Sequence, residues 1–123
     1  MLFIFDWDGT LIDSTEKIVG CMQAAASALD LPARDHGEVK SIIGLGLPEA
    51  IATLFPGIRS PLAGSLIELY SAYFVEADQV PCEFYPHVVA TLKSLREEGH
   101  QLAVATGKSR RGLQRVLKKL HMI

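Results

Sequence analysis

The sequence is short of cysteine and has no surplus of positive charge, and each shortage removes a class of function. Two cysteines in 123 residues, Cys21 and Cys82, stand far apart with neither metal-binding nor redox spacing, so they read as free thiols rather than a disulfide framework. The formal net charge is −2 with 21% charged residues, so no basic field is present to attract nucleic acid or an anionic membrane surface. No apolar run approaches the length of a membrane-spanning helix. The apolar start, Leu2 to Phe5, is too short for a signal peptide and has no basic flank, so the expected compartment is the cytoplasm. There is no internal repeat and no low-complexity segment, and a chain of this length makes one small domain, or one and a half.

What the sequence does contain is concentrated at its start, in Phe3-Ile4-Phe5-Asp6-Trp7-Asp8-Gly9-Thr10-Leu11-Ile12-Asp13. A short run, apolar on both faces and rich in Phe and Ile, reads as a buried parallel strand, and open α/β sheets place ligands at the carboxyl ends of such strands. Asp6 and Asp8 then project into a crevice. Two carboxylates this close raise each other's pKa unless a cation compensates, which calls for a hard divalent metal with oxygen ligands, Mg²⁺ being the expected one. Gly9 lets the backbone turn sharply and a phosphate approach, and Thr10 can hydrogen-bond near it. A bare Asp-x-Asp-Gly is equally an ordinary turn after a strand.

A second short strand, Leu102-Ala103-Val104-Ala105, follows the Glu98-Gly99-His100 turn and ends in Thr106-Gly107-Lys108-Ser109. Between the two strands, from Ser14 to about Phe84, the pattern is helical throughout. Ile18, Met22, Ala25 and Leu29 recur at helical spacing, Asp13 with Glu16 has the spacing of a capping box, and Leu31-Pro32 ends that helix. A short helix is expected around Glu38 to Ile43, then a Gly44-Leu45-Gly46 turn and a helix from Pro48 to Phe55. A longer one from about Pro61 to Ala77 buries Leu62, Leu66, Leu69, Tyr70 and Tyr73. His87 to Glu98 reads as a helix with Val88, Val89, Leu92 and Leu95 inward and Gly99 beyond its end. A last helix, Ser109 to about Leu120, puts Leu113, Val116, Leu117 and Leu120 on one face. Its other face carries Arg110, Arg111, Arg115, Lys118 and Lys119, a basic stripe read as solvated.

The string Asp-x-Asp-Gly-Thr-Leu-x-Asp-Ser, from Asp6 to Ser14, resembles the first signature of the haloacid-dehalogenase-like hydrolases, and within them the phosphoglycolate-phosphatase-like group. The apolar strand ending in Thr106 resembles their second. The resemblance covers essentially the whole chain and implies an α/β fold: a Rossmann-like parallel-sheet core, incomplete in this chain, with an inserted all-helical cap. Residues 1–13 would be core, with the first strand and catalytic loop. Residues 14–84 would be the cap, hinged near Asp13 to Ser14 and Val80 to Tyr85, and residues 85–123 the resumed core.

The same resemblance implies Mg²⁺-dependent hydrolysis of a phosphate monoester through an aspartyl-phosphate. Asp6 would be nucleophile and metal ligand, while Asp8 would be general acid and base and bind the metal through its backbone carbonyl. Thr106 and Gly107, with the N–H groups opening the next helix, would bind phosphoryl oxygens, beside Gly9 and Thr10. The partner would be a small phosphorylated metabolite, phosphoglycolate by likeness, touched by cap residues around Gly44 to Pro48; nucleic acid and membrane are not expected. Two further family signatures, a lysine and an acidic cluster, normally lie after the helix that ends this chain. Lys108 is not at the position of that lysine. The chain by itself is therefore expected to be inactive or impaired, and its apolar first strand to drive self-association.

Asp8 speaks against carbon–halogen cleavage, which needs no leaving-group acid. A phosphosugar mutase of the same family keeps both aspartates and remains an alternative. So do a phosphoacceptor signalling module, whose compact fold has no helical insertion of this size, and a catalytically silent fragment.

Overall fold

Phe3, Ile4 and Phe5 favour an extended backbone, and Leu2–Phe5 forms β1 in the computed structural model. The structure describes residues 1–80 and 82–119, without the side chains of Val116 and Lys119. After β1 come α1 (Thr15–Ala28), α2 (His36–Lys40), α3 (Leu47–Leu54), α4 (Leu62–Ala77), α5 (Val88–Glu97), β2 (Gln101–Val104) and α6 (Arg110–Lys119). β1 and β2 pair in parallel, from Leu2 opposite Gln101 to Phe5 opposite Val104, as a two-stranded sheet. The fold is α/β. No helix of the described residues is long and apolar enough to cross a membrane.

The strand expected to be buried on both faces is half-exposed. Phe3 and Phe5 are partly covered, whereas Leu2 is 53% and Ile4 62% exposed. Side chains alternate across a strand, so helices on one face leave every second residue in water.

Apolar residues collect in two clusters. The larger is wholly helical: Ile18, Val19, Met22 and Ala25 of α1 meet Val39 and Ile42, Ile51 and Leu54 of α3, and Leu66 and Phe74 of α4. The smaller has Trp7, Leu11 and Ile12 at its centre, flanked by Phe5, Phe84, Val88, Leu92, Val104, Leu113 and Leu117. The connections between the two run side by side, with Asp13 N–H donating to the Glu83 carbonyl (2.8 Å) and Tyr85 N–H to that of Leu11 (3.1 Å).

Several local expectations change. The capping box sits not at Asp13 and Glu16 but at Asp35 and Glu38, so α2 starts at His36 rather than near Glu38. In α4 the fully buried residues are Leu66 and Phe74, while Leu62 is exposed. Leu62, Leu66, Tyr70 and Phe74 share one stripe four residues apart, and Leu62, the first residue of the helix, stands at its uncovered end. Val89 of α5 faces water, being 100° around the helix from Val88, whereas Val88 and Leu92 pack inward. Gly99 follows α5 with φ +85°, as a helix-ending glycine does. On α6, Leu113 and Leu117 face the core as expected; the expected core positions Val116 and Leu120, and Lys119 of the basic stripe, lie outside the described side chains.

Candidate active site

The carboxyl ends of β1 and β2 lie side by side, since Ala105 N–H donates to the Phe5 carbonyl at 2.8 Å. Both motif loops therefore leave the sheet at one edge, Asp6 to Asp8 from β1 and Thr106 to Lys108 from β2. That is the juxtaposition the spacing of the two motifs implied.

The β1 loop is wound around one carbonyl. The N–H groups of Thr10, Leu11 and Ile12 all point at the Trp7 oxygen, at 3.3, 3.0 and 3.2 Å, and Gly9 N–H donates to the Ile12 carbonyl at 2.9 Å. Gly9 takes φ +77°, a conformation open to glycine at little cost. The Trp7 side chain, 1% exposed, anchors the loop against Phe84, the ring centroids 5.9 Å apart and nearly perpendicular. With Trp7 pointing inward, its neighbours Asp6 and Asp8 are left at the surface and partly at the surface. Trp7 was missed in the sequence, although an aromatic between two aspartates is the natural inward residue of an alternating pattern.

Each carboxylate has one oxygen engaged. Thr10 Oγ1 donates to Asp6 Oδ2 at 2.9 Å, and Ser14 Oγ donates to Asp8 Oδ1 at 2.8 Å. Among the described residues the other oxygen of each has no hydrogen-bond partner. Asp6 is thus held in orientation with an oxygen to spare. The donor set is hard oxygen, the kind a divalent cation such as Mg²⁺ takes, but two carboxylates are only part of a cage; no group of three or more His, Cys, Asp or Glu among the described residues could hold a metal.

On the β2 side, Thr106 Oγ1 accepts the Lys108 N–H at 3.1 Å, which leaves the Thr106 hydroxyl proton free for another acceptor. Ser109 Oγ accepts the Gly112 N–H at 3.0 Å and so caps the start of α6. Gly107 touches the helical unit: a methyl group there would come within 2.5 Å of the Leu45 carbonyl oxygen and 2.9 Å of Gly46 N. The Gly44-Leu45-Gly46 turn thus lies directly on the β2 loop, and only glycine fits beneath it.

A buried ion cluster sits next to this seam. Asp78, at the end of α4 and 4% exposed, accepts from Lys17 Nζ (3.2 Å) and from Arg115 Nη2 (2.7 Å) and Nε (3.0 Å). Lys17 also donates to the Val80 carbonyl at 2.7 Å. Arg115 is therefore no part of a solvated stripe; it ties α6 to α1 and α4, while Arg110, Arg111 and Lys118 do face water. Sequence alone gave no sign of a pairing 37 residues apart. Cys21 and Cys82 are both free, and burial pushes the Cys21 thiol pKa up, so it is held as a neutral thiol.

A sequence model of the family described as haloacid dehalogenase-like hydrolase matches residues 3–123. The phosphoglycolate phosphatase of Mannheimia succiniciproducens is 32% identical over 122 residues, covering 93% of this chain and 54% of that protein. That of Vibrio cholerae is 29% identical over 125 residues, covering 96% and 55%. The crystal structure of a hydrolase from Pseudomonas syringae superposes with a TM-score of 0.88 at 27% identity, over 100% of this chain and 56% of that one. The chain spans about half the length of the relatives it matches.

Proposed function

Because the chain belongs to the haloacid dehalogenase-like hydrolase family, we propose that its β1 loop is the reaction centre of a phosphate-monoester hydrolase of the phosphoglycolate phosphatase type. One observation carries the reading: two carboxylates, each with an oxygen unengaged among the described residues, stand on a loop locked by Trp7 at the strand end beside Thr106. The names of the relatives support a phosphatase.

In this reading Asp6 Oδ1 attacks phosphorus in line, since Thr10 already holds Oδ2. The bond to the leaving alkoxide breaks as the Asp6–phosphorus bond forms, and Asp8 gives the alkoxide its proton. Asp8 then takes a proton from water, which attacks the aspartyl-phosphate, releasing phosphate and restoring the Asp6 carboxylate. Ser14 orients Asp8 so that Oδ2 carries this proton. The Thr106 hydroxyl and the N–H groups of Gly107 and the first turn of α6 receive the phosphoryl oxygens, Gly9 leaves room for their approach, and the helical unit α1–α4 acts as the cap that excludes stray water. Mg²⁺, held by the Asp6 carboxylate and the Asp8 carbonyl with groups supplied from elsewhere, would neutralise charge between nucleophile and phosphate.

Replacing Asp6 with Asn tests the assignment, because an amide does not form the acyl-phosphate. Turnover of a small phosphate monoester by the native protein in excess Mg²⁺ should fall by about 10³-fold or more. Retention of wild-type kcat in a folded Asp6→Asn protein would sink it.

A further inference from the structure

Lys108 is the residue of the β2 loop that the chemistry above leaves unused. It belongs to the sheet unit, yet its Nζ lies 4.1 Å from the centre of the Phe74 ring, on α4 of the helical unit. The side chain thus crosses the seam just beyond Gly107, where the Gly44–Gly46 turn presses on the loop. Three cations meet here and two are spent: Lys17 and Arg115 both pair with Asp78. Among the described residues no carboxylate lies within ion-pair distance of Lys108 and nothing hydrogen-bonds its ammonium. An aromatic face is a good neighbour for a cation, but it does not neutralise one.

The cost of this arrangement is visible. Burial holds the Lys108 pKa below the usual lysine value, outweighing the opposite pull of Asp8 and Asp78 and adding to the push of Arg115. Of the two motif carboxylates it is Asp8 that acts on Lys108, and Asp8 is the group assigned to the leaving oxygen. Tyr70 is nearby too, its hydroxyl kept protonated chiefly by burial, and its ring stands 5.6 Å from that of Phe74. At the seam, then, Lys108 is a cation set against the Phe74 ring, with the Tyr70 ring beside it, and has no anion paired with it among the described residues.

We propose that the Lys108 ammonium receives a second anionic group, a carboxylate, on the leaving-group side of the phosphate ester, which makes it a specificity-determining residue. This rests on the phosphatase reading above. The phosphoryl end is taken by Asp6, Thr106 and Gly107; the far end of a short substrate then reaches the seam, where its carboxylate replaces the missing counter-ion of Lys108 and the ring wall excludes bulkier leaving groups.

Two non-hydrolysable phosphonates separate the two readings, titrated calorimetrically into the native protein with Mg²⁺: methylphosphonate and phosphonoacetate, which differ by the carboxylate. The wild type should bind phosphonoacetate about tenfold or more tightly, the worth of one charge-assisted hydrogen bond. Lys108→Met should erase that preference without weakening methylphosphonate, and Lys108→Arg should keep most of it; Lys108→Gln serves if the Met variant does not fold. Equal affinity of the two phosphonates for the wild type, binding of neither, or a Lys108→Met protein that loses both alike overturns the proposal. Turnover of an aryl phosphate is measured on the same preparation. Preference without any turnover sinks the phosphatase reading and leaves Lys108 as an anion site, whereas turnover without preference does the reverse.

Discussion

The helical unit and the sheet unit are built to different standards. α1, α3 and α4 close on one another so well that Met22, Ile51 and Leu66 are fully buried. Among the described residues the sheet unit's buried apolar side chains are Trp7, Leu11 and Ile12; neither strand nor α5 has a fully buried residue, and an open trough lined by Phe5, Leu92, Val104 and Leu113 runs along it. Yet the motif residues stand on the sheet unit. Precision there comes from backbone hydrogen bonds onto Trp7 and from the helical unit pressed against Gly107, not from a core of its own. On the function proposed above, the chain thus separates what makes it stable from what would make it reactive.

The largest effect should follow from the better-packed side. Leu66→Ala opens a cavity at a fully buried position and should cost about 2–5 kcal/mol. Leu102→Ala removes the same atoms from a half-buried strand position, where water already reaches, and should cost about 1 kcal/mol. Urea unfolding of the pair measures the contrast. Equal losses would show that the sheet unit is as tightly packed as the helical one.

A smaller effect is expected where the units are joined. Asp78→Asn keeps the shape but removes the charge that Lys17 and Arg115 share, leaving Lys17 partly buried with only the Val80 carbonyl. Breaking such a pair should cost about 2–4 kcal/mol, part of it recovered as Arg115 swings into water. Because Asp78 is the tie between α1, α4 and α6, far-UV and tryptophan signals should then separate, with Trp7 reporting the sheet unit melting first. Coincident transitions would show that the units stay coupled without it.

This joint marks the limit of what the sequence made legible. The strand ends, the glycine turns and the helical stripes rest on neighbours within a turn or a loop, and those were readable: β1, α1, α3, α4 and Gly99 stand where the pattern put them. The motif spacing also brought the Asp6 and Thr106 loops to one edge, because parallel pairing of two short strands leaves no other arrangement. Arg115 and Lys108 were misread or left unused, because their partners Asp78 and Phe74 are 37 and 34 positions away and on the other unit. The pattern Asp-x-x-Glu occurs at both Asp13 and Asp35; only the second caps a helix, a choice made by tertiary contacts.

Gly107→Ala tests the seam more gently. Its φ is not in the left-handed region, so the whole effect is the clash with the Leu45 carbonyl and Gly46 N. Overpacking of this kind should cost about 1–3 kcal/mol, or the turn should lift away instead. In the second case, on the function proposed above, stability is kept and KM for a small phosphate ester rises with kcat little changed, since a lifted cap would no longer close on the bound substrate. Unaltered stability together with unaltered KM would mean the two loops do not meet in solution.

The smallest effect compares two residues in the same structural position. Asp35 and Ser14 both precede a helix, α2 and α1, and both are residue types that cap one. Asp35 does so, accepting the Glu38 N–H at 2.8 Å, whereas the Ser14 hydroxyl makes no cap and donates to Asp8. Asp35→Ala should therefore cost about 0.5–2 kcal/mol of stability and leave catalysis alone. Ser14→Ala forfeits no cap, so its stability loss should be at most about 1 kcal/mol, from one hydrogen bond. Its effect should instead be kinetic if Asp8 is the acid proposed above, since an unoriented Asp8 would be a poorer one: an alkyl phosphate should slow by about tenfold while an aryl phosphate, whose leaving group needs little help, is spared. Thermal melts and the two kcat/KM values, measured on both variants, give four numbers. If Ser14→Ala lowers the melting temperature as Asp35→Ala does and slows both esters equally, its hydroxyl serves the helix, and the division between the stable unit and the reactive one does not extend to the residue where they meet.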